Sequence, residues 1–153
     1  MKQLKLAHGI KISDLNPHNF ALKNDYINNV ISCGLILTDC ISKCGFKNSV
    51  NIVKGFLSNS YIADNLAVSA GKCIDFLMQH SRGNAIEITF DDFTVDKAID
   101  FSKDMLYSAR DNDEICRCII YSGRESIGIY FEEKEYGIEI ITNNNEKRVV
   151  FKI

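Results

Sequence analysis

The spacing of apolar residues changes near residue 85 of this 153-residue chain. Before that point apolar residues return every three or four positions, which is the spacing of one face of an α-helix. After it, Ile86, Ile88 and Phe90 alternate with polar residues, which is the spacing of a β-strand. The pattern predicts an α+β fold, with helices mainly in the first half and an antiparallel β-meander in the C-terminal half.

Four helices are predicted, three before the change of spacing and one after the first strand. The first has Asn24 as a possible N-cap, and the fourth has Thr94. The first is predicted from Asn24 to Gly45, the second over 50–57 and the fourth over 94–111. The third carries its apolar face over 62–77 and is predicted to end at the segment 80–84. A short strand or hairpin is also predicted over residues 4–12, where apolar residues alternate loosely around Gly9.

The C-terminal half reads as a series of short strands joined by turn residues such as Ser122-Gly123. Connections this short predict that consecutive strands are antiparallel neighbours. The strands after residues 85–90 are predicted at Ile115 to Tyr121, Ile127 to Phe131, Tyr136 to Thr142 and Arg148 to Ile153. With no linker or internal repeat, residues 1–153 are predicted to form one globular α+β domain of two layers.

Composition excludes several classes of function. A net charge of −2 and a pI near 5.9 argue against a general nucleic-acid binder, which needs surplus lysine and arginine. No apolar run approaches the roughly 20 residues of a membrane-spanning helix. No apolar segment follows the start Met1 to Lys5 as it would in a signal peptide. We therefore expect a cytoplasmic protein without a membrane partner.

Six cysteines invite a disulfide or metal interpretation, but each one falls at a predicted core position. Reduced cysteine is a small and readily buried apolar residue, so core packing accounts for all six. The alternative is a zinc site that joins Cys40-x3-Cys44 to Cys116-x-Cys118. The six, which we predict to be core thiols without a metal, are Cys33, Cys40, Cys44, Cys73, Cys116 and Cys118.

No catalytic motif stands out, and we predict neither catalytic residues nor a cofactor. The three histidines, His8, His18 and His80, show no spacing that pairs them with a nucleophile, and we predict them to be surface residues. Carboxylates are plentiful, but no local pattern brings two of them together in a cleft. An enzymatic role is therefore the alternative hypothesis and not the leading one.

The distribution of charge is more informative than its total. Residues 1–84 carry nine Lys and Arg against five Asp and Glu, a net charge of +4. Residues 85–139 carry six against fourteen, a net charge of −8, and residues 140–153 carry three against one, a net charge of +2. The near-neutral total thus hides an acidic middle between two basic ends.

Two groups of carboxylates dominate this acidic middle. Aspartate recurs every four residues from Asp92 to Asp104, which places the side chains on nearly one side of the fourth helix. The helix dipole does not explain Asp100 and Asp104, because these two lie beyond the first turn of the helix. A second concentration of glutamate, which includes Glu139, surrounds one predicted hairpin. The structural interpretation of these carboxylates is a solvated acidic face, and the functional one is a docking surface for a basic partner. The predicted partner-binding residues are Asp96, Asp100, Asp104, Glu132, Glu133 and Glu135.

These features lead to the hypothesis of a non-enzymatic module that binds a basic protein partner through an acidic face. Small size, negative charge and lack of catalytic motifs are also properties of bacterial immunity proteins, which neutralise cognate toxins such as nucleases. Toxin neutralisation is therefore the most concrete form of the hypothesis. The alternative is a small enzyme or ligand-binding domain with a cleft between helices and sheet.

Overall fold

The computed structural model describes residues 12–44, 50–66, 74–131, 136–144 and 146–152. Within these ranges it contains four α-helices, mostly in the first half, and a six-stranded sheet that lies mostly in the C-terminal half. The helices are α1 (Asn24–Cys44), α2 (Asn59–Asn65), α3 (Ile74–Gln79) and α4 (Val95–Asp111). The strands are β1 (Val50–Lys54), β2 (Ala85–Phe90), β3 (Arg117–Tyr121), β4 (Ser126–Tyr130), β5 (Gly137–Ile141) and β6 (Lys147–Lys152). The predicted α+β class is confirmed.

The strand order is β1-β2-β4-β3-β5-β6. The predicted antiparallel pairs β3/β4 and β5/β6 are confirmed, whereas β5 does not lie beside β4 as a meander requires. The far edge of β4 is already paired with β2, so β5 pairs with β3 in parallel. That register sets Ile138 beside Cys118 and Ile140 beside Ile120, which keeps all four side chains in the core.

Residues 50–54 form strand β1 and not the predicted second helix. Burial alternates along the strand, with Val50 and Ile52 partly buried and Asn51 and Val53 exposed. β1 pairs antiparallel with β2, and this long-range pairing gives its backbone the hydrogen bonds that a helix would have supplied locally. Val50 and Ile52 are β-branched and two positions apart, which is a pattern typical of a strand.

Helices α1 and α4 contact one another and cover one face of the sheet. Their apolar faces pack on the isoleucines of β2, β3 and β4 in a single buried cluster. Lys43 ties the two helices together at their carboxyl ends, because its Nζ lies 3.0 Å from Asp39 and 3.2 Å from Asp111. Both ion pairs are solvent-exposed and contribute little to stability beyond fixing this end.

The opposite face of the sheet is partly covered by α3, which refines the two-layer prediction. Phe76 from α3 packs against a cluster on this face that contains Ile119, Tyr121 and Tyr130. Ser58 caps α2 by accepting a 3.2 Å hydrogen bond from the Tyr61 amide. Ile62 of α2 then packs beside Leu77 of α3 in a separate cluster. The short helices therefore form a second packing unit.

Several predictions lie outside the described residues. These are the strand or hairpin before Ile12, the end of the first helix at Gly45, and the middle of the predicted third helix, 67–73. The described ends of that third helix are α2 and α3. In the part of the chain that the structure describes, no helix is both long and apolar enough to cross a membrane.

Candidate functional site

Asp96, Asp100 and Asp104, which we call the aspartate row, lie on α4. The sequence at the start of this helix explains where the helix begins. Thr94 is extended and its hydroxyl accepts a 3.2 Å hydrogen bond from the Lys97 amide, as the N-cap prediction required. The opposite side of the helix is fully buried through Ala98, Phe101 and Met105. Since the apolar face points into the core, the aspartates are held on the outer side of α4.

The structure brings together three of the six predicted binding residues. Asp96 and Asp100 are exposed, and Asp104 is partly buried one turn further along. Neither Asp96 nor Asp100 forms an ion pair with another described residue. Burial raises the pKa of the Asp104 carboxyl, and the negative charge of Asp100 raises that pKa further. The row is thus a set of carboxylates that repel one another.

The surface of α4 is mixed in charge, which the count of acidic residues alone did not reveal. Lys97, Lys103 and Arg110 are also exposed on this helix. Lys97 donates a 3.3 Å hydrogen bond to the Asp92 carbonyl near the helix start. On the helix, Lys103 and Arg110 lie on the side away from α1, whereas Asp104 and Asp111 lie toward it. Lys103 and Arg110 therefore form a basic flank on the side away from α1, and Asp96, seven residues before Lys103, lies on that same side about two turns nearer the helix start.

The other three predicted binding residues, Glu132, Glu133 and Glu135, lie outside the described residues. Glu139 does not contribute to an acidic surface, because its side chain is buried on β5. It pairs with Arg117 of β3, and Lys147 of β6 lies 3.2 Å from its second carboxylate oxygen. Glu139 is therefore part of a buried structural ion pair. The sequence pattern had instead placed it with the acidic residues around the hairpin.

A buried polar cluster that sequence reasoning missed occupies the second face of the sheet. Glu87 of β2 is only 1% exposed, although its alternation with Ile86 and Ile88 indicated a solvent-facing side chain. Its carboxylate accepts hydrogen bonds from Arg124 at 2.7 Å and from Ser126 at 2.9 Å, and Lys54 lies 3.7 Å away. These partners come from β1, β4 and the β3–β4 turn, so no local spacing could have grouped them.

Two tyrosines and a histidine extend this cluster. The hydroxyls of Tyr121 and Tyr130 are 2.6 Å apart, and the guanidinium of Arg124 lies 3.7 Å from the centroid of the Tyr121 ring. The His80 and Tyr130 rings are nearly perpendicular, and their centroids are 5.9 Å apart. Burial raises the pKa of Tyr130, and the nearby Tyr121 raises it further. The polar atoms within the cluster bind one another, which makes it a scaffold and not an open site.

The histidine predictions have different outcomes. His18 is exposed and stacks near Phe20 and Tyr61, as expected of a surface residue. His80 is 1% exposed, so its predicted surface position is wrong. Its Nδ1 lies 2.8 Å from the Gly55 carbonyl, and burial lowers its pKa from 6.5 to about 4. The ring is held neutral in the interior, and His8 lies outside the described residues.

The predicted core position is confirmed for the four cysteines whose side chains are described. Cys33, Cys40, Cys116 and Cys118 are all buried thiols and not part of a disulfide. Burial raises the pKa of Cys33, and the hydrogen bond with Cys118 followed by burial raises that of Cys116. Among the described residues, no three His, Cys, Asp or Glu side chains are placed to hold a metal ion. The side chain of Cys44 and all of Cys73 lie outside them.

A cleft of about 660 Å³ lies between the basic flank of α4 and the edge of the sheet. Leu106 and Tyr107 of α4 form one wall, Phe151 of β6 forms the other, and Ile115 lies two residues before β3. Tyr107 is 57% exposed, Ile115 42% and Phe151 40%, which is unusual for large apolar side chains so close together. The charged residues that line it are Lys103, Arg110 and Glu114.

Comparison with known proteins adds no family to this description. No family model matches the chain, and neither a curated protein nor a solved structure matches it.

Proposed function

We propose that this protein is a non-enzymatic binding domain that engages a basic protein partner through the aspartate row of α4. The observation that carries the proposal is that Asp96 and Asp100 are exposed and have no ion-pair partner among the described residues, although lysines lie on the same helix. Asp104, whose pKa is raised by burial and by Asp100, completes the row. A cation supplied by a partner would relieve this repulsion, which favours association.

The most concrete form of this proposal is an immunity protein that neutralises a basic toxin, for example a nuclease. A nuclease surface that binds phosphates carries surplus lysine and arginine, which complements the net charge of −8 over residues 85–139. In this form of the proposal, Glu132, Glu133 and Glu135 supplement the aspartate row. Opposite charges would accelerate association and suppress binding to acidic proteins.

The experiment is an affinity purification from the source lysate with two triple variants that lose equal charge. Asp96→Asn/Asp100→Asn/Asp104→Asn removes the row, whereas Asp25→Asn/Asp64→Asn/Glu146→Gln removes three exposed carboxylates elsewhere. Each variant changes the net charge from −2 to +1. We expect a basic partner that is lost with the first variant, kept with the second, and released by high salt.

Two results would reject the proposal. One is a partner that both triple variants retain equally, and the other is a partner that withstands salt near 1 M, where the Debye length is only about 3 Å.

A second candidate function, a ligand-binding domain or small enzyme, is favoured by one specific observation. The cleft beside α4 lies between a helix and the sheet, and its volume of about 660 Å³ is within the usual range of small-molecule sites. Its lining on α4 consists of Lys103, Leu106, Tyr107 and Arg110 and includes none of the aspartates of the row. Variants of the row and variants of the cleft therefore distinguish the two functions.

A further inference from the structure

The cleft beside α4 combines an apolar interior with two cations on one wall. Lys103 and Arg110 are seven residues apart, about 10 Å along the helix, and Leu106 and Tyr107 stand between them. The guanidinium of Arg110 lies 5.0 Å from the centroid of the Tyr107 ring, which holds it against the apolar wall. Neither cation forms an ion pair with another described residue.

The apolar part of the cleft lies beside β6, the edge strand of the sheet. α4 packs mainly on β3, β4 and β5, and on β6 Val149 and Phe151 remain partly exposed. Phe151 and Ile115, which lies before β3, line this part of the cleft beside Tyr136. A ligand that covers these side chains removes apolar surface from water without any rearrangement of the core.

The charged groups along the lining indicate the chemistry of the ligand. Lys103 and Arg110 lie on the α4 wall, and the single described carboxylate, Glu114, lies beyond the carboxyl end of α4. Glu114 also lines a smaller polar pocket with Asn29 and Ser32, so it stands at the boundary of the cleft. The α4 wall thus presents two cations to an apolar space, and an anionic group there would form strengthened ion pairs.

We propose that this cleft binds a single amphipathic carboxylate, with its alkyl or aryl body against Phe151 and Ile115 and its carboxylate paired with Lys103 or Arg110. This site is independent of the basic partner proposed above. It uses the cations Lys103 and Arg110 of α4 and not the aspartates, and it takes a ligand of opposite charge.

The test is isothermal titration of the full chain with monomeric laurate, decanoate and octanoate, with dodecylammonium as the matched cation. We expect affinity to rise about fourfold for each methylene that becomes fully buried. The affinity for dodecylammonium is expected to be at least about tenfold lower than the affinity for laurate. Equal affinity for the two twelve-carbon ions, or no dependence on chain length, would overturn the proposal.

Paired variants locate the site. Lys103→Gln/Arg110→Gln is expected to reduce laurate affinity to that of dodecanol, whereas Lys97→Gln on the same helix leaves it unchanged. Ile115→Ser is expected to weaken binding, whereas Leu35→Ser, which removes a side chain 52% exposed on α1, has no effect. Losses of the same size in the two control variants would overturn the assignment.

Two further measurements distinguish this cleft from the aspartate row and from a surface that binds lipid bilayers. Asp96→Asn/Asp100→Asn/Asp104→Asn is expected to keep laurate binding, so failure of the basic-partner proposal leaves this one testable. Binding to phosphatidylglycerol vesicles but not to monomeric laurate, with the same dependence on Lys103 and Arg110, would indicate a lipid surface as the ligand and overturn the single-molecule site.

Discussion

The carboxylate of Glu87 and the guanidinium of Arg124 are 2.7 Å apart, but the two side chains lie in different environments. Glu87 is almost completely buried, whereas the Arg124 side chain is about half exposed and rests on the Tyr121 ring. A buried carboxylate is tolerated only when its charge is compensated. The turn between β3 and β4 thus supplies the charge that allows β2 to carry a glutamate in the interior.

We expect Arg124→Gln to lower the free energy of unfolding by about 1 to 2 kcal/mol, because it leaves the Glu87 charge with fewer partners. The loss should stay below that of a fully buried pair, since Lys54 and Ser126 remain beside Glu87. Urea denaturation measures it, and Glu87→Gln/Arg124→Gln completes a double-mutant cycle. Strictly additive effects would contradict direct coupling between the two residues.

His80 predicts a loss of stability in acid. Its pKa is about 4 in the folded protein and 6.5 in the unfolded chain, so the unfolded chain binds more protons between these values. Stability contributed by the neutral ring is therefore complete above pH 6.5 and is lost as pH falls toward 4, by about 3 kcal/mol over the full range. His80→Asn keeps a donor for the Gly55 carbonyl but does not titrate, so its stability should fall less in acid. Parallel pH profiles for the two proteins would contradict the assignment.

Gly128 lies on β4 two residues before Tyr130, and the tyrosine side chain occupies the space above it. A Cβ at this position would collide with the Tyr130 ring and hydroxyl. We expect Gly128→Ala to destabilise the fold by about 1 to 3 kcal/mol through overpacking. The cost should be smaller in a Tyr130→Ala background, where the space is empty. Thermal unfolding measures both, and an equal cost in the two backgrounds would exclude this cause.

The four buried thiols should be unreactive in the folded protein. Reaction requires a thiolate, and the pKa of Cys33 and that of Cys116 are raised. The protein is purified under reducing conditions and the reductant is then removed. We expect no more than two of the six cysteines to react with Ellman's reagent in the folded protein, and all six after unfolding in guanidinium. Rapid reaction of three or more thiols in the native protein would contradict the buried positions.

Elements that have a long apolar pattern of their own could be predicted from the sequence. α1 and α4 were predicted nearly to their limits because each has an uninterrupted apolar face and, in α4, a cap at Thr94. β3 and β4 followed from alternation and a turn between them. Elements whose state depends on distant partners were not predicted: residues 50–54 became a strand through pairing with β2.

The candidate site likewise contains positions that the sequence predicts and positions that depend on distant partners. Positions on α4 follow from helical spacing, so the aspartate row could be placed from the sequence. The burial of Glu87, Glu139 and His80 could not, because their partners come from other strands, from Gly55 and from the β3–β4 turn. The cleft also depends on the parallel pairing of β3 and β5, which carries β6 to the edge of the sheet.

The aspartate row makes one further prediction, which separates binding from folding. Asp100→Asn and Asp104→Asn should leave stability unchanged within about 0.5 kcal/mol, or raise it slightly at low salt, because each removes repulsion between carboxylates one turn apart. Asparagine and aspartate have similar helix propensities, so the backbone contributes little to the difference. Urea denaturation at low and high salt measures the effect. Destabilisation by more than about 1 kcal/mol would mean that these aspartates stabilise the fold, and any loss of partner binding in their variants would then have a structural cause.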